Sequence, residues 1–236
     1  MSSRTLVIVL TLSLLASPAL AQQPEVSFEA GADLVSQYLF RGVVVTTKPA
    51  LQPTVTFGFG DSGFSFNVWG SAAIVDRDTQ KEGDELDFTV TLDRSLDAGE
   101  QSVGLTVGYI QYTFPNLSAD TKHSEEFFVG LSLDNSLSPS LTLYYDFGIF
   151  DVWYLNGSVG HELPLKPESN MTLGLSGDIG FSDATGSFKF NHVGVSASLN
   201  ISRDEVSFSP TVGVLYSDKE INADETEIWG GISVSF

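Results

Sequence analysis

Cysteine is absent from the 236 residues, so no disulfide staples the chain and no thiolate is available as a nucleophile or soft metal ligand. Basic residues are scarce: 11 Lys and Arg stand against 30 Asp and Glu, a formal net charge of −19. That balance excludes non-specific binding to nucleic acid or to an anionic surface. Long hydrophobic runs are missing too. After residue 21 no stretch of about eighteen apolar residues occurs, so no membrane-spanning helix is expected there. The three His, at 123, 161 and 192, are too scattered to form a transition-metal cluster, and no cofactor is implied.

What is present begins with a leader. Arg4, the apolar run "TLVIVLTLSLLA" and the small-residue motif Ala19-Leu20-Ala21 form a secretory signal peptide over residues 1–21. One domain, residues 22–236, follows it. The leader removes one Arg and no acid, leaving 10 basic against 30 acidic residues, or −20. An exported chain without disulfides needs either a large core or a closed hydrogen-bonded sheet. Seventeen Phe, seven Tyr and 22 Gly, with Pro scarce inside the periodic segments, point to β-structure.

Strict apolar–polar alternation recurs in twelve segments, near the roughly 9 to 11 residues that a tilted membrane strand needs. They run from Phe28 to Phe40, then near 51–59, 64–74, 86–92, 103–114, 127–133, 141–149, 153–163, 171–179, 193–201, 206–216 and 228–236. The parity slips near Tyr109–Ile110, which predicts a bulge or an irregular top there. Connections after odd-numbered segments are mostly long and polar ("VDRDTQKEGDE", "SDKEINADETE"), and those after even-numbered segments are tighter ("GDSG", "SRDE"). The fourth long-side connection, around "GIFDVW", is short and apolar. Tyr38, Phe40, Tyr109, Tyr144, Tyr145, Tyr216 and Trp229 fall near one set of strand ends. Phe57, Phe59, Phe64, Phe66, Phe208 and Phe236 fall near the other, suggesting two aromatic girdles. The expected fold is an all-β, antiparallel, up-and-down transmembrane barrel of about 12 strands in a bacterial outer membrane. The last segment, "IWGGISVSF", alternates to its final residue, as a strand that closes a barrel must.

Barrel parity assigns Glu29, Asp33, Glu85, Asp87, Asp93, Asp134, Asp146, Glu162, Asp178 and Glu227 to the inner face, joined among basic residues by Arg41 alone. Unpaired charge facing lipid costs a few kcal/mol near the midplane, so these acids face inward. A wet, negative lumen would favour cations. The expected function is therefore a porin-like passage for small hydrophilic solutes, with a preference for cations. The rivals are a barrel with a blocked lumen that acts as an adhesin or envelope element, and a soluble secreted β-sandwich carrier.

The stretch "SQYLFRGVVVTTKPALQPTVTFGFGDSGFSFNVWGS" resembles the start of the TorF-type porins of Gram-negative outer membranes. The resemblance rests on Tyr38, Phe40, Arg41, Gly42, Pro49, Ala50, Gln52 and Trp69. Phe40 stands where that family usually has Trp. The resemblance implies a small porin without a known substrate. A terminal strand ending in Phe236 also resembles the signal by which such barrels are recognised by the assembly machinery. Outer-membrane lipid and lipopolysaccharide would then surround the wall. Arg41 could tune a pore mouth by pairing with lumen acids. Alternatively it orders the first long connection, with Gly42 supplying an unusual turn conformation, and this second role is the one expected.

His192 beside Asn191 raises the possibility of a Ser–His–Asn site. Its parity points into the lumen rather than toward a lipid-facing nucleophile, so no enzyme is expected. Acidic loops such as "NADETE" lack the spacing of a calcium-binding loop.

Overall fold

The computed structural model describes residues 25–99, 101–165 and 170–236; the expected leader lies outside them. In chain order the strands are β1 (Val26–Val35), β2 (Tyr38–Phe40), β3 (Val43–Thr46), β4 (Ala50–Phe59), β5 (Phe64–Ala73), β6 (Glu85–Ala98) and β7 (Gln101–Thr113). They continue with β8 (His123–Leu133), β9 (Ser140–Asp146), β10 (Val152–Pro164), β11 (Met171–Ser182), β12 (Lys189–Arg203), β13 (Val206–Ser217) and β14 (Thr226–Ser235). All but β2 and β3 join one closed antiparallel barrel of twelve strands, in which β14 returns to pair with β1. Closure holds to the final residue. The Phe236 amide donates to the Ala30 carbonyl at 2.9 Å, and the Ala30 amide donates back at 3.0 Å.

The period of two explains why this sheet closes. Val90, Val107, Phe127, Val129, Leu131, Val195, Val212 and Ile228 alternate outward and are exposed. Gln52, Ser71, Glu85, Asp87 and Glu126 alternate inward and are buried. An apolar exterior around a polar interior suits a wall surrounded by hydrocarbon, and a ring of strands leaves no backbone edge to solvate there. Apart from the short 147–151 connection, the tight connections and the last strand's end gather at one end of the barrel, the turn end. The long connections gather at the other, the loop end.

Three expectations change. The slip predicted in β7 is absent: β7 pairs without interruption to β6 and β8, and Ile110 simply faces inward. Within the barrel a register shift occurs between β11 and β12, where Gly180 pairs with His192 and Phe181 with Phe190. Asn191 is thus the extra residue of a bulge, and it and His192 are both buried inside. The first periodic segment is not one strand either. β1 stops at Val35, and Tyr38 and Phe40 belong to a separate hairpin, β2–β3. The loop-end girdle also differs in membership. Tyr145 stacks on Trp153 (centroids 4.4 Å apart), Phe127 stacks on Phe147 (5.1 Å), and Tyr216 is exposed. Tyr38, Phe40, Tyr144 and Trp229 instead line the interior.

Candidate functional site: a hairpin folded into an acidic lumen

Between β1 and β4 the chain turns inward. The β2–β3 hairpin pairs Phe40 with Val43, leaving Arg41 and Gly42 as a two-residue tip. Both have positive φ, 48° and 87°, which is the type I′ turn whose twist matches a tight hairpin. Glycine is needed for a second reason. A Cβ at residue 42 would lie 2.6 Å from Asn191 Oδ1, so the tip sits directly against the bulge on β12.

From that tip Arg41 crosses to the wall formed by β7 to β10. Its guanidinium donates to both carboxylate oxygens of Glu126, Nη1 to Oε2 at 2.6 Å and Nη2 to Oε1 at 2.7 Å. This is the planar two-point match that arginine makes and lysine cannot. The Tyr112 hydroxyl donates to Glu126 Oε1 at 2.9 Å. Aromatic rings surround the cation: Tyr144 at 4.2 Å, Tyr154 at 4.5 Å and Phe40 at 4.8 Å from the guanidinium carbon. Burial pulls the Arg41 pKa down, but hydrogen bonding to Glu126 and neighbouring charge outweigh it, so the pKa ends above its ordinary value and the group stays charged. Glu126 is 1 % exposed and could not be left unpaired without a large desolvation cost.

Other strands hold the rest of the hairpin. The Tyr38 hydroxyl donates to Glu85 on β6 at 2.8 Å, and Gln37 donates to Glu227 on β14 at 3.0 Å. Ser217 on β13 donates to the Gly42 carbonyl at 2.7 Å. The hairpin is therefore fastened around the circumference, and together with its wall partners it fills the loop-end part of the lumen.

Against it lies a cavity of about 780 Å³. Asp33, Asp87 and Asp178 bring carboxylates to its lining, Gln52, Asn67 and Thr89 bring neutral polar groups, and Trp69 and Trp229 bring indoles. Asp178 accepts from His192 Nε2 at 2.8 Å, while Asn191 Oδ1 lies 3.0 Å from His192 Nδ1. Ser182 is bonded to Asn191, not to His192. With Asp178 and Asn191 at its two ring nitrogens, His192 has no paired hydroxyl of the kind a nucleophilic site needs. Among the described residues, the Asp33 carboxylate makes no hydrogen bond or ion pair with the protein, and Asp87 Oδ1 has no partner. No group of three or more His, Asp or Glu among the described residues is placed to hold a metal ion.

The inner-face candidates thus separate. Asp33, Arg41, Asp87 and Asp178 reach the cavity, whereas Glu85 and Glu227 anchor the hairpin. Glu29, Asp93 and Asp134 are exposed toward the turn end, where Asp93 accepts from Thr106. Glu162 lines a second cavity of about 660 Å³ there, with Asn200 and Ser136. Asp146 faces inward but serves the wall. It accepts from Ser124 Oγ (2.7 and 2.8 Å) and from the amides of Gly148 (3.0 Å) and Phe150 (3.3 Å), capping the tight 147–151 connection. Glu126, Tyr112 and Tyr154 are absent from the sequence-derived set. The parity of Phe127 turns Glu126 inward, a signal that is lost when the segment is opened at Phe127.

Comparison with known proteins adds family and fold. The model of a bacterial protein family of unknown function, Gcw_chp, matches residues 19–235. No curated protein matches the sequence. Among solved structures, the KdgM porin superposes with a TM-score of 0.56 at 11 % identity, covering 88 % of this chain and 98 % of its own. The NanC porin gives 0.53 at 14 % identity, covering 89 % and 99 %. The KdgM porin in complex with disordered oligogalacturonate gives 0.55 at 9 % identity, covering 89 % and 97 %. At such identities the likeness is one of fold.

Proposed function

The chain belongs to the Gcw_chp family, and we propose that it is an outer-membrane porin-like channel, not an enzyme, through which small hydrophilic solutes pass with a preference for cations. One observation carries this reading: the barrel is apolar outside and polar inside, with Asp33, Asp87 and Asp178 around a cavity of about 780 Å³. The fold shared with solved porins supports it, as does the resemblance of the first hairpin region to TorF-type porins. Export by the leader and assembly through the strand ending at Phe236 belong to the same reading.

The sign of the selectivity follows from local charge. Arg41 is neutralised by Glu126, which leaves Asp33 and Asp178 to set the potential of the inner lumen. An acidic saccharide of the kind named with the KdgM porin would meet mostly like charge here. A small neutral or cationic solute would not.

The fastened hairpin favours a second reading, a barrel that does not conduct and acts through its loops. Conductance of the refolded protein in a planar bilayer under a KCl gradient separates the two. Discrete steps with a reversal potential of cation sign are expected. Anion selectivity would overturn the role given to the acids, and inserted protein without steps would favour the second reading.

A further inference from the structure

Arg41 is held as a ligand is held. Its guanidinium lies against a wall that supplies one buried carboxylate in a two-point grip, a tyrosine hydroxyl bonded to that carboxylate, and the rings of Tyr144 and Tyr154. Every wall group comes from β7 to β10, while Arg41 arrives on a hairpin between β1 and β4. The two parts join only through non-covalent contacts. Carboxylate plus aromatic faces is the general recognition chemistry of organic cations, and two-point bonding favours a planar guanidinium over a spherical ion. No alkali cation satisfies both features.

We propose that the surface formed by Tyr112, Glu126, Tyr144 and Tyr154 is a binding site for guanidinium-type cations, occupied here by the chain's own Arg41. A soluble guanidinium compound entering from the loop end competes for the same wall, and its binding releases the hairpin. The site is independent of the channel reading; the consequence for current rests on it. Competition is weighted toward the tether, because a linked side chain acts at an effective concentration on the order of millimolar. A free ligand must therefore reach roughly 10 mM or more in the native protein. Removing the Arg41 side chain leaves the wall vacant and lowers that threshold.

The test uses Arg41→Ala in the full chain, its folding checked by heat-modifiable gel mobility. Methylguanidinium is the probe, with tetramethylammonium and K⁺ as controls at equal ionic strength. Binding is read first, without reference to conduction, as a rise in the unfolding temperature of R41A in detergent. A rise at about millimolar methylguanidinium is expected, absent with K⁺, weaker with tetramethylammonium and abolished in R41A/E126Q. Bilayer current is read second: methylguanidinium should lower the R41A current at least about twofold at roughly 10 mM. In the native protein the same probe should raise the current. If R41A does not fold, Arg41→Lys replaces it. Its ammonium keeps the charge but loses the two-point grip, so displacement should need less probe than in the native protein. A thermal response identical for methylguanidinium and K⁺ would overturn the site. A specific thermal response with no current in any variant would keep the site and overturn the channel.

Discussion

The two parts of the lumen solve the problem of inward charge in opposite ways. Beside the loop end, Arg41, Glu126, Glu85 and Glu227 are matched by partners from distant strands, and aromatic rings fill the space between them. Below it, Asp33 has no protein partner among the described residues and faces a cavity with Gln52 and Asn67. The first arrangement fixes one geometry. The second leaves its charge to water and to whatever enters. A charge that holds the hairpin is paired; on the proposed channel reading, a charge that is to act on a passing ion is left unpaired.

The largest expected effect comes from breaking the paired part. Arg41→Ala strands the 1 %-exposed Glu126 and should cost about 3 kcal/mol, read as a lower urea midpoint. It should also raise single-channel conductance several-fold. An unchanged midpoint would mean that the hairpin is not fastened as described. Gly42→Ala comes next. The added Cβ would strain a backbone at φ +87° and press on Asn191 Oδ1, costing about 1–3 kcal/mol and loosening the hairpin with the Arg41–Glu126 chemistry intact. Wild-type conductance in that variant would separate the tip's conformation from its gating role. Tyr38→Phe removes the hydroxyl that satisfies Glu85 and should cost about 1–2 kcal/mol, visible as a smaller fall in the same midpoint.

The smallest effect on stability, and the most informative for function, belongs to the wet part. Asp33→Asn should change stability by less than about 0.5 kcal/mol, because no protein group depends on the carboxylate. Its mark should be a reversal potential shifted toward zero in a KCl gradient. If selectivity holds while Arg41→Ala alters it, the selecting charge sits at the hairpin and not below it.

The wall was legible in the sequence because strand parity is a local property. Each of the twelve periodic segments has its strand, since alternation of Phe, Val and Leu with polar residues forces one face outward wherever the partners lie. The same parity brings Asp33, Asp87 and Asp178 to the lumen. It misplaced Tyr38, Phe40, Tyr144 and Trp229, because an aromatic near a strand end reads alike whether it anchors in an interface or fills the interior. It also located the bulge wrongly: an apolar Ile110 inside the barrel looks like a slip, and the true slip puts two consecutive polar residues, Asn191 and His192, inside, each of which suits the lumen.

The alternation, the acid-rich inner face and the Arg-Gly pair at a turn are thus determined by the sequence itself, since each depends on residues within one segment. That the hairpin folds inward, and that Arg41 finds Glu126 some 85 positions away, was decided only when twelve strands closed. Closure brings the β1–β4 connection opposite the β7–β10 wall at a spacing one arginine can bridge, and no local pattern encodes a distance across a ring.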